Sequence, residues 1–153
     1  RHYNTVTAGR LSANAYRAKI TAQQRLSAGV SQEVKLRVGV ENASSEVWLA
    51  SEVSSVYVSS RWLNTKGKVV DSLGPRAPLV VDLAPGETVE IEVPIRCPGK
   101  AGDWILELDM VDEGVAWFGD YGSVPARVEA SLHGAQSRWA RIMSWGREPK
   151  SKI

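Results

Sequence analysis

The stretch "EVKLRVGVEN", from Glu33 to Asn42, alternates apolar and polar residues with a period of two. Val34, Leu36, Val38 and Val40 fall on one face, with Glu33, Lys35 and Arg37 on the other. Successive side chains of a strand point to opposite faces, so this run predicts a strand with one buried and one wetted side. "TVEIEVPI" repeats the pattern, with Val89, Ile91, Val93 and Ile95 set against Glu90 and Glu92. "VYVSSRWL" places Val56, Val58 and Trp62 in phase, while "YRAKITA" near residue 16 and "PARVEASL" near residue 125 are shorter candidates.

The segments between these runs carry turn chemistry. "TKGK" at 65–68 reads as a hairpin turn in which Gly67 supplies a positive φ. "APGE" at 84–87 puts Pro85 and Gly86 where a type II turn wants them. "CPGKAGD" at 97–103 is another loop. Seven to nine short strands, and no helical pattern before residue 133, predict an all-β fold. The expected form is an antiparallel β-sandwich of the immunoglobulin or fibronectin type, with a small barrel as runner-up.

A chain of 153 residues suits one domain, which can bury roughly 70% of its unfolded surface without staples. The expected division is an extension at 1–14, a sandwich at 15–133 and a tail at 134–153. The tail differs in kind: "GAQSRWARIMSWGR" sets Ala135, Trp139, Ile142 and Met143 at helical spacing with arginines opposite. Three readings stand for it: a short segment docked on its own sandwich, a contact for a neighbouring domain or subunit, or a membrane-surface helix. Trp139, Ile142, Met143 and Trp145 are the candidate partner contacts.

A net charge of +2, concentrated in that tail, is not the dense basic field of a nucleic-acid binder. No run of about 18 apolar residues offers a transmembrane helix, and the first residues lack the apolar stretch of a signal peptide. The chain starts on Arg1 rather than methionine, which reads as a piece of a larger protein. The single cysteine, Cys97, cannot form an internal disulfide, and this favours a reducing, cytoplasmic setting.

Chemistry is sought first in "GDWILELDMVDEGVAWF", residues 102–118, with five carboxylates and two tryptophans. As a strand it directs Trp104, Leu106, Leu108 and Met110 inward, and Glu107 and Asp109 outward together. Alternate strand residues are roughly 6.5–7 Å apart, a separation that suits a glycosidase acid pair. A solvent face offers neither the burial nor the neighbours that tune a catalytic acid, so the pair is expected to face water. Asp112 and Glu113 precede Gly114, so "VDEGV" reads as a tight hairpin turn after which "VAWF" starts a second strand, and Asp112, Glu113 and Asp120 could gather at one end of the sandwich. Three acids without a calcium-loop spacing make no metal site. No zinc spacing, nucleophile elbow or phosphate loop is present, so neither metal nor cofactor is expected and the chain reads as non-catalytic. Of six tryptophans, Trp62 and Trp104 are in phase with the core, whereas Trp48 and Trp117 are candidates for ligand or partner contact.

The ordered set "RWLN…G", "R.PL", "L.PGE" and "DMV.EGVAWF", within residues 34–122, resembles a β-sandwich module of bacterial polysaccharide-biosynthesis proteins. In that family the module is appended to glycosyltransferases and methyltransferases. It is also similar, distantly, to the carbohydrate-binding C-terminal domain of O-antigen ABC transporters. The resemblance implies a non-catalytic module whose partner is a bacterial oligo- or polysaccharide. Its alternative is a scaffold that positions neighbouring domains of a larger chain, with self-association through the tail or an open sheet edge. The expected stacking aromatic is Trp48, Trp117 or Tyr121, with hydrogen bonds from Arg76, Asp112, Glu113 or Asp120. The competing expectation is structural: Glu113 pairs with Arg76, and Trp117 packs beneath.

Overall fold

In the computed structural model the described residues are 11–50 and 55–134. Ten strand segments follow in order: β1 Ala18–Thr21, β2 Arg25–Gly29, β3 Glu33–Asn42, β4 Val56–Leu63, β5 Val69–Asp71, β6 Ala77–Pro78, β7 Thr88–Arg96, β8 Gly102–Asp112, β9 Ala116–Trp117 and β10 Ala126–His133. They form two sheets. One runs β1-β3-β7, all antiparallel. The other runs β2-β10-β8-β4-β5, with β6 added to β4 and β9 to β8. β2 is parallel to β10, while the remaining pairs are antiparallel. The chain therefore changes sheets between β1 and β2. Two facing sheets with this order are an immunoglobulin-like β-sandwich.

The alternation read from the sequence decides what fills the space between the sheets. Leu36, Val38 and Val40 of β3 and Ile91, Val93 and Ile95 of β7 are buried on one side. Val58 and Trp62 of β4, Leu106, Leu108 and Met110 of β8, and Val128, Ala130 and Leu132 of β10 are buried on the other. Trp62 lies edge-on to Trp104, with ring centroids 6.2 Å apart. Its indole Nε1 donates to the carbonyl of Arg96 at 2.9 Å, which ties the larger sheet to the end of β7. The turns follow their chemistry: Gly67 and Gly86 have φ of 84° and 85°, and Glu87 N donates to Ala84 O at 3.0 Å to close the "APGE" turn. β7 borders its sheet, and Pro94 within it, preceded by Glu90 and Glu92, discourages another strand from pairing there.

The short strand that "VAWF" predicts after Gly114 is β9. β5 and β6 have three and two residues, too few to register a period. β2 is equally silent in the sequence, because "RLSAG" brings only Leu26 and Ala28 to the core.

Candidate functional site

The outer face of the larger sheet is where the structure departs from the sequence expectation. Glu107 and Asp109 do project to the face opposite Leu106 and Leu108, but that face is covered. Glu107 is 4% exposed and Asp109 0%. Register explains the arrangement. Arg61 of β4 and Arg127 of β10 both stand opposite Glu107, and directly opposed side chains on an antiparallel pair have Cβ atoms about 5 Å apart. Glu107 Oε1 accepts from Arg61 Nη2 at 2.5 Å, and Oε2 accepts from Arg127 Nε and Nη2 at 3.2 Å each. Asp109 Oδ2 accepts from Gly119 N at 2.7 Å, and Oδ1 from Met110 N at 2.8 Å.

The cover is local in sequence. β9 pairs with β8 at Val111 and Asp112, on the edge that β10 leaves vacant, and a 3-10 turn, Phe118–Tyr121, follows it. Gly119 approaches so closely that a Cβ there would lie 2.9 Å from Asp109 Oδ2. On the other side, Ser59 Oγ donates to the carbonyls of Gly74 and Pro75, and Arg76 Nη1 donates to Ser59 Oγ at 2.8 Å. Burial pushes the Asp109 carboxyl up to about 6, against the pull of the Gly119 and Met110 amides and the Arg61 charge. Among the described residues, Arg61 Nε and Ser60 Oγ are buried without a hydrogen-bond partner. The available sequence signal was Ile105 and Val111, apolar residues on the same face as the two acids, since a strand with apolar residues on both faces is covered on both.

The singled-out residues divide. Arg76, Glu113 and Trp117 come together: Arg76 Nε donates to Glu113 Oε2 at 2.7 Å, and the guanidinium carbons of Arg61 and Arg76 lie 4.5 and 5.1 Å from the Trp117 ring centroid. The half-buried ring thus carries two cations, the arrangement of a brace that ties β9 to β4 and to the segment before β6. Trp48 is not at the surface. It bridges to Leu83, is fully buried against Phe118 at 5.4 Å, and its Nε1 donates to Ala15 O at 2.9 Å. Asp112 ends β8 and begins the turn, its carbonyl accepting from Val115 N at 2.9 Å, but its side chain is in the inward phase, and the carboxylate accepts from Tyr16 Oη at 2.7 Å and from Ser55 Oγ. Burial therefore removes Trp48 and Asp112 from any surface site. Asp120 and Tyr121 are exposed on the 3-10 turn, and Tyr121 stacks on Tyr16 at 4.5 Å. Trp139, Ile142, Met143 and Trp145 lie outside the described residues. No group of three metal-ligating residues occurs among the described residues.

An open groove on this sheet involves none of those residues. A groove of about 690 Å³ crosses the far end of the same sheet, lined by Arg25 and Ser27 of β2, Glu129 and Ser131 of β10, and Asp103 and Ile105 of β8, with Thr65 at one side. The register lays these in two rows: Ser27–Ser131–Asp103 and Arg25–Glu129–Ile105. Arg25 Nε and Glu129 Oε2 are 3.9 Å apart and largely exposed, a loose pair that adds little stability. Ser27 Oγ lies 2.7 Å from His133 Nε2. The volume falls in the range of small-ligand sites, about 300–1,000 Å³. Sequence reading had no means of finding this groove, because its residues come from three strands and one turn and form no motif.

The class defined by fold and site is a β-sandwich module with an open polar groove and a covered, charge-braced outer face. No family model and no curated protein matches the chain. Among solved structures it is similar to a family 123 glycoside hydrolase from Clostridium perfringens, at 9% identity and a TM-score of 0.44 over 78% of this chain. The chain spans only 27% of that hydrolase. It is also similar to the CARDB domain of a Pyrococcus furiosus protein, in complex with di-metal ions, at 16% identity and a TM-score of 0.45 over 78% of this chain and 93% of that one. A PapD-like domain of human CEP192 aligns at 11% identity and a TM-score of 0.35, over 82% of this chain and 89% of that one.

Proposed function

We propose that this chain is a non-catalytic glycan-recognition module, acting on the cytoplasmic side in the synthesis or export of a bacterial surface polysaccharide. The observation that carries the reading is the open groove across β2, β10 and β8, whose side chains offer hydroxyls, carboxylates and a guanidinium over an apolar residue, Ile105. Sugar hydroxyls donate and accept, so a lining of this mixture suits them. Support for a non-catalytic role comes from the covered face. Glu107 and Asp109, the two carboxylates with the strand spacing of an acid pair, are held by arginines and backbone amides beneath a cover. The polysaccharide setting comes from the sequence resemblance. Among the described residues no helix is long and apolar enough to cross a membrane.

The test is a glycan-array screen of the purified chain, with circular dichroism to certify folding. Specific hits are expected. A blank array from folded protein overturns the glycan reading.

A second reading, a scaffold that positions attached enzymes, is favoured by one other observation. The β5 border exposes Val69, Val70 and, just beyond, Leu73 at 81% exposure, an apolar strip on a short edge strand. Under that reading Leu73→Ser lowers association in sedimentation. An unchanged sedimentation profile counts against the strip.

A further inference from the structure

We infer that the β2–β10–β8 groove takes a neutral or amine-bearing glycan lying across the strands and rejects acidic glycans, with Asp103 as the discriminating residue. This inference rests on the glycan reading above and adds to it the ligand's charge and direction.

Direction follows from the register. Ser27, Ser131 and Asp103 stand side by side on three adjacent strands. Neighbouring strands are about 4.8 Å apart, comparable to the length of one pyranose ring along a chain. A saccharide laid across the strands therefore brings successive residues over successive side chains. Two serine hydroxyls can each donate or accept, and the Asp103 carboxylate only accepts. In the parallel row Ile105 supplies an apolar surface for the C–H face of a ring, with Glu129 and then Arg25 on the next two strands.

Charge follows from pairing. Arg25 and Glu129 face each other and largely cancel. Asp103 has no ion-pair partner among the described residues, so the groove carries one uncompensated negative charge. A uronate or phosphate seated in the serine row would lie beside that carboxylate and be repelled. A hydroxyl would donate to it, and an ammonium would pair with it. The discrimination expected near a protein surface is about tenfold in affinity.

The experiment is calorimetric titration of the full chain with length-matched neutral, amino-sugar and uronate-bearing oligosaccharides. Wild type is compared with Asp103→Asn and with Ser131→Tyr, which fills the groove from an exposed position. Thr65→Trp, in the exposed β4–β5 turn, narrows the same groove from its other side and replaces Ser131→Tyr if that variant does not fold. Neutral or amino-bearing chains should bind about tenfold more tightly than acidic ones. Asp103→Asn should close that gap, and the groove-filling variant should abolish binding. Binding that survives the filled groove, or a wild type that prefers acidic glycans, or a gap unchanged by Asp103→Asn, overturns the inference while leaving glycan recognition standing. If wild type binds none of the three classes, the glycan reading itself falls.

Discussion

Replacing Asp109 with asparagine should remove a pH-dependent penalty from the fold. The side chain is fully buried beneath Gly119, and its carboxyl is held at about 6 instead of 3.8. One pKa unit corresponds to about 1.4 kcal/mol, so the difference of some two units amounts to about 3 kcal/mol. The direction is fixed by linkage. Below about pH 4 the group is protonated in folded and unfolded chains alike and costs the fold nothing. As pH rises from there to about 6, the folded chain keeps the proton and the unfolded chain releases it, so stability declines. Above that window the whole penalty of about 3 kcal/mol is present. Asparagine is neutral throughout. It keeps one of the two side-chain oxygens that accept from the Met110 and Gly119 amides and loses the other, which adds an offset that does not vary with pH. Urea unfolding of both proteins, followed between about pH 4 and pH 8, reads the difference in slope, in which titrating groups remote from Asp109 cancel. The wild type should lose about 3 kcal/mol relative to the variant across the window. Parallel curves would refute the argument that burial, and not the two amide bonds or Arg61, dominates this carboxyl.

Glu107→Gln breaks a largely buried pair that holds Arg61, and should lower stability by about 3 kcal/mol in denaturant unfolding. Gly74→Ala places a Cβ 2.7 Å from the backbone carbonyl of Ser60, so a melt should show a loss of about 1–3 kcal/mol, whereas Gly134→Ala, with open space around it, should show almost none. Trp48→Phe keeps the ring contact with Phe118 but loses the bond to Ala15 O, for about 1–2 kcal/mol by the same assay. Trp117→Ala should destabilise the fold by about 3 kcal/mol, because Arg61 and Arg76 both lose the ring they lie over, yet leave binding in the groove intact by titration.

Period-two alternation in "EVKLRVGVEN", "TVEIEVPI" and "GDWILELDM" was enough to determine an all-β sandwich and to name most of its core. The inward set of a strand is written in its own residues, and sheets must bury that set against each other. The pairing of Arg76 with Glu113 over Trp117 was also legible, as one of two expectations. What covers the outward set is not written in the strand. Glu107 and Asp109 have the spacing of a wetted face, and only the return of Gly119 over β8, with Arg61 and Arg127 in register, takes them out of water. Asp112 turned inward because β8 is longer than its apolar run and Tyr16 waits at its end. Trp48 entered the core from a loop, where no period announces a direction. The groove is wholly a product of tertiary structure: β2 lies beside β10 only because the chain changes sheets after β1, and that pairing sets Ser27 next to Ser131. Local pattern fixes which way a side chain points along its own strand. Which residues meet it there is decided by contacts between segments far apart in the chain.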